Sequence, residues 1–600
     1  MLKNIFITIL LICSVSGVWG QKSVKVKVSG NVITTDGVPA EFINIQLKNT
    51  FYGGTSDGKG YFEFMAPAGQ YTMIVQSIAA HRREFPVTIE EGKENHFADI
   101  EIRENINQLE QVVVTGQFSP QSMRNSLYKV RTVNSEQIRQ KAPTSVQSLL
   151  NTEIGIRLSN DMALGETDFE LMGMSGNNVK ILLDGIPLID RGATKQSLSQ
   201  LDVNSIERVE IVEGPMSVVY GTDALAGVIN IITKKGDGYS EENTWRVGAR
   251  VQEESMGKEY DFFKDKGLHN ESIDLGFNHK SGLFVNGGYT RNNHGGWQGD
   301  LTGREKRWHP KDQALMNGMF GFQNRNMNVW YRLDFLDEKI FGPNNGSELQ
   351  PEKVSDKDFL TKRYTHQLQS DWKLDNRLDV HAALSYQDYK RRTRTTESDL
   401  STGEKWLSSA EASQDITQYK AWIARATVAW NIAPEFSVQP GVEYQWTQGE
   451  GGRIDGTPKV SDLAFFLSAE YKPWEWLSLR PGVRTFIVAD YDAPIAIPSV
   501  LTKFKLTKHM DLRLSYAYGF RSPTLQELYF SFHNDNHDID GNPDLKAEYS
   551  HNITGSVAYR VLHSEKIHLT TTLSGFYNDF RDKISLAQNV DIPNYNTSST

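Results

Sequence analysis

The stretch "RLDVHAALSYQDY", residues 377–389, alternates between two kinds of side chain. One set is apolar and consists of Leu378, Val380, Ala382, Leu384 and Tyr386. The interleaved set is smaller or polar and consists of Asp379, His381, Ala383 and Ser385. Because successive side chains of a β-strand point to opposite faces, this period of two predicts a strand with one apolar and one polar face.

The same alternation recurs through residues 240–600, for example in "WRVGARV", "NVWYRLDF", "FSVQPGVEYQW", "DLAFFLSAEYK" and "KIHLTTTLSGFY". No helical period or linker interrupts this region. A soluble antiparallel sandwich also alternates in this way. Long strands, with Tyr and Trp near their ends, instead favour a transmembrane antiparallel β-barrel, so we expect a mainly β protein.

The first twenty residues, "MLKNIFITILLICSVSGVWG", have the form of a cleaved signal peptide, residues 1–20. A lysine precedes an apolar core, and small residues follow it. Cys13 lies in this segment and is the only cysteine, so the exported protein has neither a disulfide nor a thiolate metal site. The net charge of −10 gives no indication of a nucleic-acid partner.

Two smaller units separate the signal peptide from the barrel. Residues 22–103 contain short strands and Asp-Gly turns, and they resemble the carboxypeptidase-regulatory-like β-sandwich of exported proteins in the Bacteroidetes. His81 and His96 stand alone there, without the spacing of a zinc site. Residues 120–236 mix a helical segment with strands, which predicts a compact α+β domain.

The family resemblance is carried by "NVKILLDGIPLID", residues 178–190, and "SIERVEIVEGPMSVVYGTDALAGVINIITKK", residues 205–235. Both resemble the plug domain of TonB-dependent outer-membrane receptors. The resemblance implies a plug inside the barrel and a location in the cell outer membrane. Barrels of plugged outer-membrane transporters have about 22 strands, whereas about 16 strand-like segments occur here, so we expect the C-terminal part of the barrel to be missing.

The segment "LEQVVVTGQ", residues 109–117, resembles the TonB box of that family. Its central residues are Val112, Val113, Val114, Thr115 and Gly116. Consecutive valines favour an extended chain, which we expect to be exposed and to add as a strand to the energy transducer TonB. The alternative is a last strand of the preceding sandwich, or a linker.

The stretch "GFRSPTLQELYFSFHNDNHDIDGNPDL", residues 519–545, lies between two predicted barrel strands. Its FRSP and NPDL elements resemble the FRAP and NPNL boxes of haem receptors, in which a histidine between the boxes binds haem iron. The resemblance assigns this role to His533 or His537, with Tyr529 and Phe532 against the porphyrin. Residues 117–236 contain no histidine, so a second iron ligand would come from Met162, Met172 or Met174, or from no plug residue.

Other functions remain open from the sequence. Asn536, Asp538 and Asp540 approximate the spacing of a calcium loop, which would suit a cobalamin receptor. A ferric-siderophore receptor fits the same boxes, and a barrel adhesin or passive porin fits the barrel alone. No nucleophile elbow, HExxH helix or phosphate loop is present, so we expect no enzymatic activity and no required cofactor. The sequence thus predicts TonB-dependent uptake of a bulky iron or metal chelate, with haem as the expected ligand.

Overall fold

The computed structural model describes residues 25–599 except for a set of short gaps. These gaps are residues 35–38, 41–42, 49, 58, 78–79, 94, 103–111, 117–120, 123–125, 162–165, 190–195, 237–241, 325, 376, 411, 490, 508, 535–536, 565–566 and 589–596. The predicted signal peptide lies outside the described residues. The chain divides into two compact units, residues 1–112 and residues 113–600.

The first unit is a β-sandwich, with seven strands among its described residues. They are β1 (Lys25–Thr34), β2 (Asn44–Leu47), β3 (Gly53–Thr55), β4 (Tyr61–Pro67), β5 (Gly69–Ser77), β6 (Ala80–Ile89) and β7 (Asn95–Ile102). One sheet has the order β4-β1-β7 and the other the order β3-β2-β5-β6. Alternate residues such as Val28, Phe62 and Met73 fill the shared core. The predicted sandwich is therefore present.

The second unit begins with the plug. Its strands are β8 (Val112–Val113), β9 (Gln121–Ser122), β10 (Lys129–Asn134), β11 (Ile156–Asp161), β12 (Glu166–Leu171), β13 (Met174–Ser175), β14 (Val179–Leu183), β15 (Ile186–Pro187), β16 (Ile206–Glu213) and β17 (Gly227–Thr233). Its α-helices are α1 (Ser135–Lys141), α2 (Val146–Leu150) and α3 (Ser217–Tyr220). The central sheet has the order β10-β16-β17-β14-β15, and every residue of β14 and β17 is buried.

Local sequence explains where the plug helices begin. Asn134 caps α1 and Ser145 caps α2, and each makes a reciprocal capping box with the residue three positions later. α1 ends where Ala142 adopts a left-handed conformation. None of the helices in the described part of the chain has the length and apolar character needed to cross a bilayer.

The rest of the second unit is one large antiparallel sheet of sixteen strands among the described residues. Its strands are β18 (Thr244–Glu254), β19 (Leu268–Asn278), β20 (Leu283–His294), β21 (Lys311–Gln323), β22 (Met327–Gly342), β23 (Lys353–Lys373), β24 (Leu378–Asp399), β25 (Lys405–Leu407), β26 (Ile416–Ala433), β27 (Phe436–Gly451), β28 (Lys459–Trp474), β29 (Leu477–Ala489), β30 (Ile497–Thr507), β31 (Met510–Arg521), β34 (Glu548–Ser564) and β35 (Ile567–Arg581). Each strand pairs with the next in the order β18 to β24, β26 to β31, β34 and β35. The short strand β25 pairs only with β24.

The large sheet has the two faces that the sequence predicts. On β24, Leu384 is 43% exposed on the outer face, whereas Ser385 and Gln387 are buried on the inner face. Gln387 donates to the Pro187 carbonyl of the plug at 2.7 Å, which places the inner face against the plug. A sheet with apolar side chains outside and polar ones around a plug is a transmembrane barrel wall, so the predicted mainly β fold is confirmed.

The two ends of the sheet differ in the length of their connections. One end has short turns at residues 279–282, 324–326, 374–377, 434–435, 475–476 and 508–509. The other end has longer loops at residues 255–267, 295–310, 343–352, 400–415, 452–458, 490–496 and 522–547. Short periplasmic turns and long extracellular loops are typical of outer-membrane barrels, so the loop of residues 522–547 belongs to the extracellular mouth.

Candidate functional site

The mouth loop of residues 522–547 contains its own secondary structure. It holds α4 (Leu525–Tyr529) and the hairpin of β32 (Ser531–Asn534) and β33 (His537–Asp540), and it packs beside the short strands β36 (Leu586–Gln588) and β37 (Thr597–Ser599). Thr524 caps α4, because its hydroxyl accepts from the Glu527 N–H at 3.1 Å and Glu527 accepts from the Thr524 N–H at 2.7 Å. The loop is therefore a folded element.

Arg521 of the FRSP box joins the two ends of this loop. Its guanidinium is 4% exposed and pairs with Glu527 at 2.9 Å and with Glu548, beyond the NPDL box, at 3.2 Å. Glu548 also accepts from the Ile584 N–H at 3.2 Å. Because a buried charge must be paired, these contacts make Arg521 a structural clamp at the base of the loop.

The NPDL box packs against the same base. Leu545 is buried in a cluster with Leu528 and Ile584. The Gly541 N–H donates to the Phe530 carbonyl at 2.7 Å, and a Cβ at Gly541 would lie 2.7 Å from the Leu528 carbonyl carbon. In this chain, the FRSP and NPDL boxes therefore contain residues that hold the loop in its shape.

His533 lies on the hairpin and its side chain is 51% exposed. Its Nε2 lies 3.1 Å from Asp540 Oδ1 and 3.2 Å from Ser531 Oγ. The backbone of His537 pairs with Asn534 across the hairpin, but the His537 side chain is outside the described residues. The structure therefore places His533 at the mouth, with one ring nitrogen beside a carboxylate.

The two aromatic residues assigned to the porphyrin have protein partners. Tyr529 is half-buried and packs against the clusters around Leu525 and Leu528. Phe532 lies under the Arg453 guanidinium, 4.1 Å from the ring centroid. The loop of residues 452–458 holds this arrangement, because Ser531 donates its N–H to the Arg453 carbonyl at 3.1 Å. One face of Phe532 is therefore covered.

The residues assigned to the other metal roles are placed as follows. Asn536 and the side chain of Asp538 lie outside the described residues, and Asp540 faces His533. Within the described ranges, no group of three or more His, Cys, Asp or Glu side chains could hold a metal ion. Met162 is outside the described residues as well. Met174 is buried in the plug core and Met172 packs partly against it, which fits a packing role.

The VVVTG segment, residues 112–116, is docked on the plug in this structure, whereas the sequence predicts an exposed strand. Val113 is fully buried. The Val114 and Thr115 N–H groups donate to the Glu210 carboxylate at 3.1 and 2.8 Å, and the Thr115 hydroxyl donates to it at 2.6 Å. Glu210 is itself fully buried on β16. A buried carboxylate that accepts several hydrogen bonds is the physical reason for the docking.

Gly116 is held from two sides. Its N–H donates to the Tyr220 hydroxyl at 3.2 Å, and its carbonyl accepts from Arg480 Nη1 of the barrel at 2.5 Å. Burial raises the pKa of the Tyr220 phenol, with Arg425 opposing, so the hydroxyl stays neutral. The φ of Gly116 is +70°, and a Cβ there would lie 2.3 Å from Met216 Cε. A residue with a Cβ would be strained at this φ and would require the end of the Met216 side chain to move.

A short plug segment, Tyr220–Asp223, connects the two sites. Tyr220 contacts Gly116, as described above. Two residues later, the Thr222 hydroxyl accepts from the Ser522 N–H at 2.7 Å, and the Asp223 N–H donates to the Phe520 carbonyl at 3.2 Å. The segment thus touches both the VVVTG segment and the FRSP box. Sequence reasoning missed this link. Gly221, with φ +73°, makes the turn between Tyr220 and Thr222.

Comparisons with known proteins agree with this architecture. The CarboxypepD_reg-like domain family matches residues 28–114, the TonB-dependent receptor plug domain matches residues 122–228, and the TonB-dependent receptor-like β-barrel matches residues 439–600. The barrel match includes the FRSP and NPDL boxes, but none of the three family descriptions names a haem receptor.

Two curated relatives show how far the likeness extends. The iron-regulated outer membrane virulence protein of Vibrio cholerae serotype O1 is 25% identical over 508 residues, which cover 79% of this chain and 69% of the relative. The vitamin B12 transporter BtuB of Vibrio vulnificus is 32% identical over 139 residues, which cover 23% of each chain.

Solved structures share the fold. A variant of the ferric enterobactin receptor PfeA of Pseudomonas aeruginosa superposes with a TM-score of 0.58 at 17% identity, over 78% of this chain and 74% of that one. The siderophore receptor PirA of Acinetobacter baumannii gives 0.59 at 16% identity, over 80% and 76%. The chain thus combines a CarboxypepD_reg-like domain with the plug and barrel of TonB-dependent outer-membrane receptors.

Proposed function

We propose that the protein carries a bulky metal chelate across the outer membrane, with haem as the cargo and TonB as the source of energy. The observation that carries the proposal is the plug segment Tyr220–Asp223, which touches both the extracellular mouth loop and the VVVTG segment. A plug that fills a wide barrel must move for a solute to pass. Because one plug segment contacts both the mouth loop and the VVVTG segment, a shift at one of them can be transmitted to the other.

His533 is the proposed iron ligand at the mouth, because a neutral imidazole is a common ligand of haem iron. In the proposed arrangement iron binds Nδ1, while the Nε2–H donates to Asp540, 3.1 Å away. A carboxylate in this position orients a ligating imidazole and raises its basicity. His537, four residues further along the hairpin, is the proposed substitute for His533.

Coupling to TonB is proposed to use release of the VVVTG segment. A chelate that shifts the mouth loop would disturb the Ser522–Thr222 hydrogen bond and, through Gly221, the hold of Tyr220 on Gly116. TonB would then capture Val112–Gly116 as an added strand. Each hydrogen bond to the Glu210 carboxylate contributes about 1.5–3 kcal/mol. The VVVTG segment therefore stays docked, and is not available to TonB, until binding of the chelate weakens these hydrogen bonds. No covalent step is part of the proposal.

A ferric siderophore is the second candidate cargo, with cobalamin as the third. Arg453 stands at the mouth with 39% of its side chain exposed, and a guanidinium there suits an anionic iron chelate. The name of the Vibrio cholerae relative also points to iron. The short, more similar match to a vitamin B12 transporter favours cobalamin.

The cargo is tested by titrating the purified full-length protein with haemin and recording the Soret band. The double variant His533→Ala with His537→Ala should bind haemin at least about tenfold more weakly, a loss of about 1.4 kcal/mol. A matched control, His279→Ala with His509→Ala, removes two histidines at the short-turn end of the barrel and should bind as the wild type does. Equal haemin binding by the mouth variant would exclude these histidines as iron ligands, and competition by a ferric siderophore or cobalamin would then identify the cargo.

A further inference from the structure

The outer face of the barrel changes from aromatic to charged at one level on neighbouring strands. Toward the long-loop end, Tyr364 is followed on the same face by Lys362 on β23, and Trp422 is followed by Lys420 on β26. Tyr386 of β24 lies directly opposite Trp422 in the register. The change therefore follows a line across three strands, which on β23 lies two residues nearer the long loops, because Tyr364 is opposite Asp388.

The aromatic side of this line faces the membrane. The rings of His366 and Tyr386 lie 6.1 Å apart, and those of Tyr386 and Trp422 lie 4.7 Å apart. Trp422 is 43% exposed, and Leu384 beside it is exposed to the same degree. Aromatic rows of this kind lie at the boundary between the hydrocarbon and the headgroups. The charged side chains above them are thus at the level of the outer-leaflet headgroups.

We name the charged region above this row the cationic patch. It lies on β22, β23, β24 and β26, and its cations are Lys339, Lys362, Lys390, Arg392, Arg394 and Lys420. The acidic side chains among them are Asp337, Asp358 and Asp388. Six cations against three acids leave a local charge of +3. The patch includes most of the basic run "KRRTR", residues 390–394.

The acids of the patch are already occupied. Asp358 is shared by Lys339, at 3.1 Å, and Arg394. Asp337 pairs with Lys362 at 3.3 Å. Of the three acids, these contacts leave only Asp388 for Lys390, Arg392 and Lys420.

Of the other three cations, Lys420 lies directly opposite Asp388, and Arg392 lies opposite Leu360 and Ile416. Asp388 accepts from Gln418 at 2.7 Å. Lys390 lies directly opposite Lys362, and like charges at opposed positions of two strands destabilise the pair. Within the described ranges, Lys390, Arg392 and Lys420 form no ion pair within 4.0 Å. An anion bound between these three cations would offset the repulsion at Lys390 and would give each of them a partner.

We propose that the cationic patch binds the phosphorylated headgroup of a glycolipid of the outer leaflet, whose acyl chains lie along the aromatic row. The patch extends over four neighbouring strands, or about 14 Å at the usual strand spacing. This width suits a headgroup that carries more than one phosphate, because Lys390 and Lys420 lie on different strands. Arg392 supplies the guanidinium that binds a phosphate through two N–H groups.

The test uses the full-length protein extracted from outer membranes in a mild detergent. Bound glycolipid is measured as phosphate and 3-hydroxy fatty acid per protein, for the wild type and for the triple variant Lys390→Gln, Arg392→Gln and Lys420→Gln. The control triple variant, Lys258→Gln, Lys280→Gln and Lys505→Gln, removes exposed lysines elsewhere on the barrel. We expect the patch variant to retain at least about fivefold less glycolipid, and the control to retain the wild-type amount.

A second measurement uses delipidated wild-type protein, so that it does not depend on folding of the variants. Lipid A bearing two phosphates should raise the temperature of thermal unfolding more than dephosphorylated lipid A, phosphatidylglycerol or inorganic phosphate. Equal stabilisation by all four additives would overturn the proposal. Equal glycolipid content in the patch variant and the wild type would overturn it as well. A stronger effect of phosphatidylglycerol would assign the patch to a phospholipid instead and reject the glycolipid.

Discussion

Ser522 of the barrel mouth donates its backbone N–H to the Thr222 hydroxyl of the plug at 2.7 Å. Thr222 lies two residues from Tyr220, whose hydroxyl holds the Gly116 N–H. The extracellular loop and the docked VVVTG segment therefore meet on one short piece of chain. Changes at either end of this piece should be measurable at the other.

Thr222→Val should uncouple the two ends. Valine has nearly the shape of threonine but cannot accept the Ser522 N–H, a loss of about 1 kcal/mol. We expect chelate binding at the surface to remain near the wild-type level, while hydrogen exchange of residues 113–116 no longer responds to the chelate. An unchanged exchange response in Thr222→Val would show that this hydrogen bond plays no part in coupling.

Gly116→Ala should loosen the docked VVVTG segment. The new methyl group would meet Met216 Cε at 2.3 Å, and the φ of +70° adds strain, so we expect docking to weaken by about 1–3 kcal/mol. Limited proteolysis near residue 116 should become faster in the absence of chelate.

Gly185→Ala is the matched control for Gly116→Ala. Gly185 has a φ of +84°, but no heavy atom lies within 4 Å of the new Cβ position. This variant therefore carries the backbone strain without the steric clash. Equal rates of proteolysis near residue 116 in Gly116→Ala and Gly185→Ala would show that the contact with Met216 does not hold the VVVTG segment.

Arg521→Gln should unfold the mouth loop without unfolding the barrel. The change leaves Glu527 and Glu548 without their shared cation at a buried site, which costs about 3–5 kcal/mol. We expect proteolysis within residues 522–547 and loss of chelate binding. Arg291→Gln is the control, because its pair with Asp312 lies outside this loop, is about half-exposed and contributes about 0–1 kcal/mol. Equal protease resistance of the two variants would argue against the clamp.

The sequence was sufficient for the features that repeat along the chain. The alternation in residues 377–389 predicted a barrel strand, and the structure confirms it with Leu384 outside and Ser385 inside. Strand faces are readable because the period of two is local.

The docking of the VVVTG segment was not readable from the sequence. Glu210 stands 95 residues from Thr115, and nothing in the local pattern marks it as the acceptor. Three valines in a row predict an extended chain but do not say whether it is exposed or buried. The Arg521 clamp was hidden in the same way, because Glu548 lies 27 residues away. Both interactions depend on tertiary pairing of charges across the fold.

The central claim is that the VVVTG segment delivers the force that moves the cargo, and paired assays of haemin binding and uptake in whole cells test it most directly. Val113→Pro removes a backbone donor and fixes φ, so strand addition to TonB should fail. Cells with this variant should bind haemin at the surface as wild-type cells do but accumulate no more than a strain without TonB. Accumulation at the wild-type rate by Val113→Pro cells would contradict the claim.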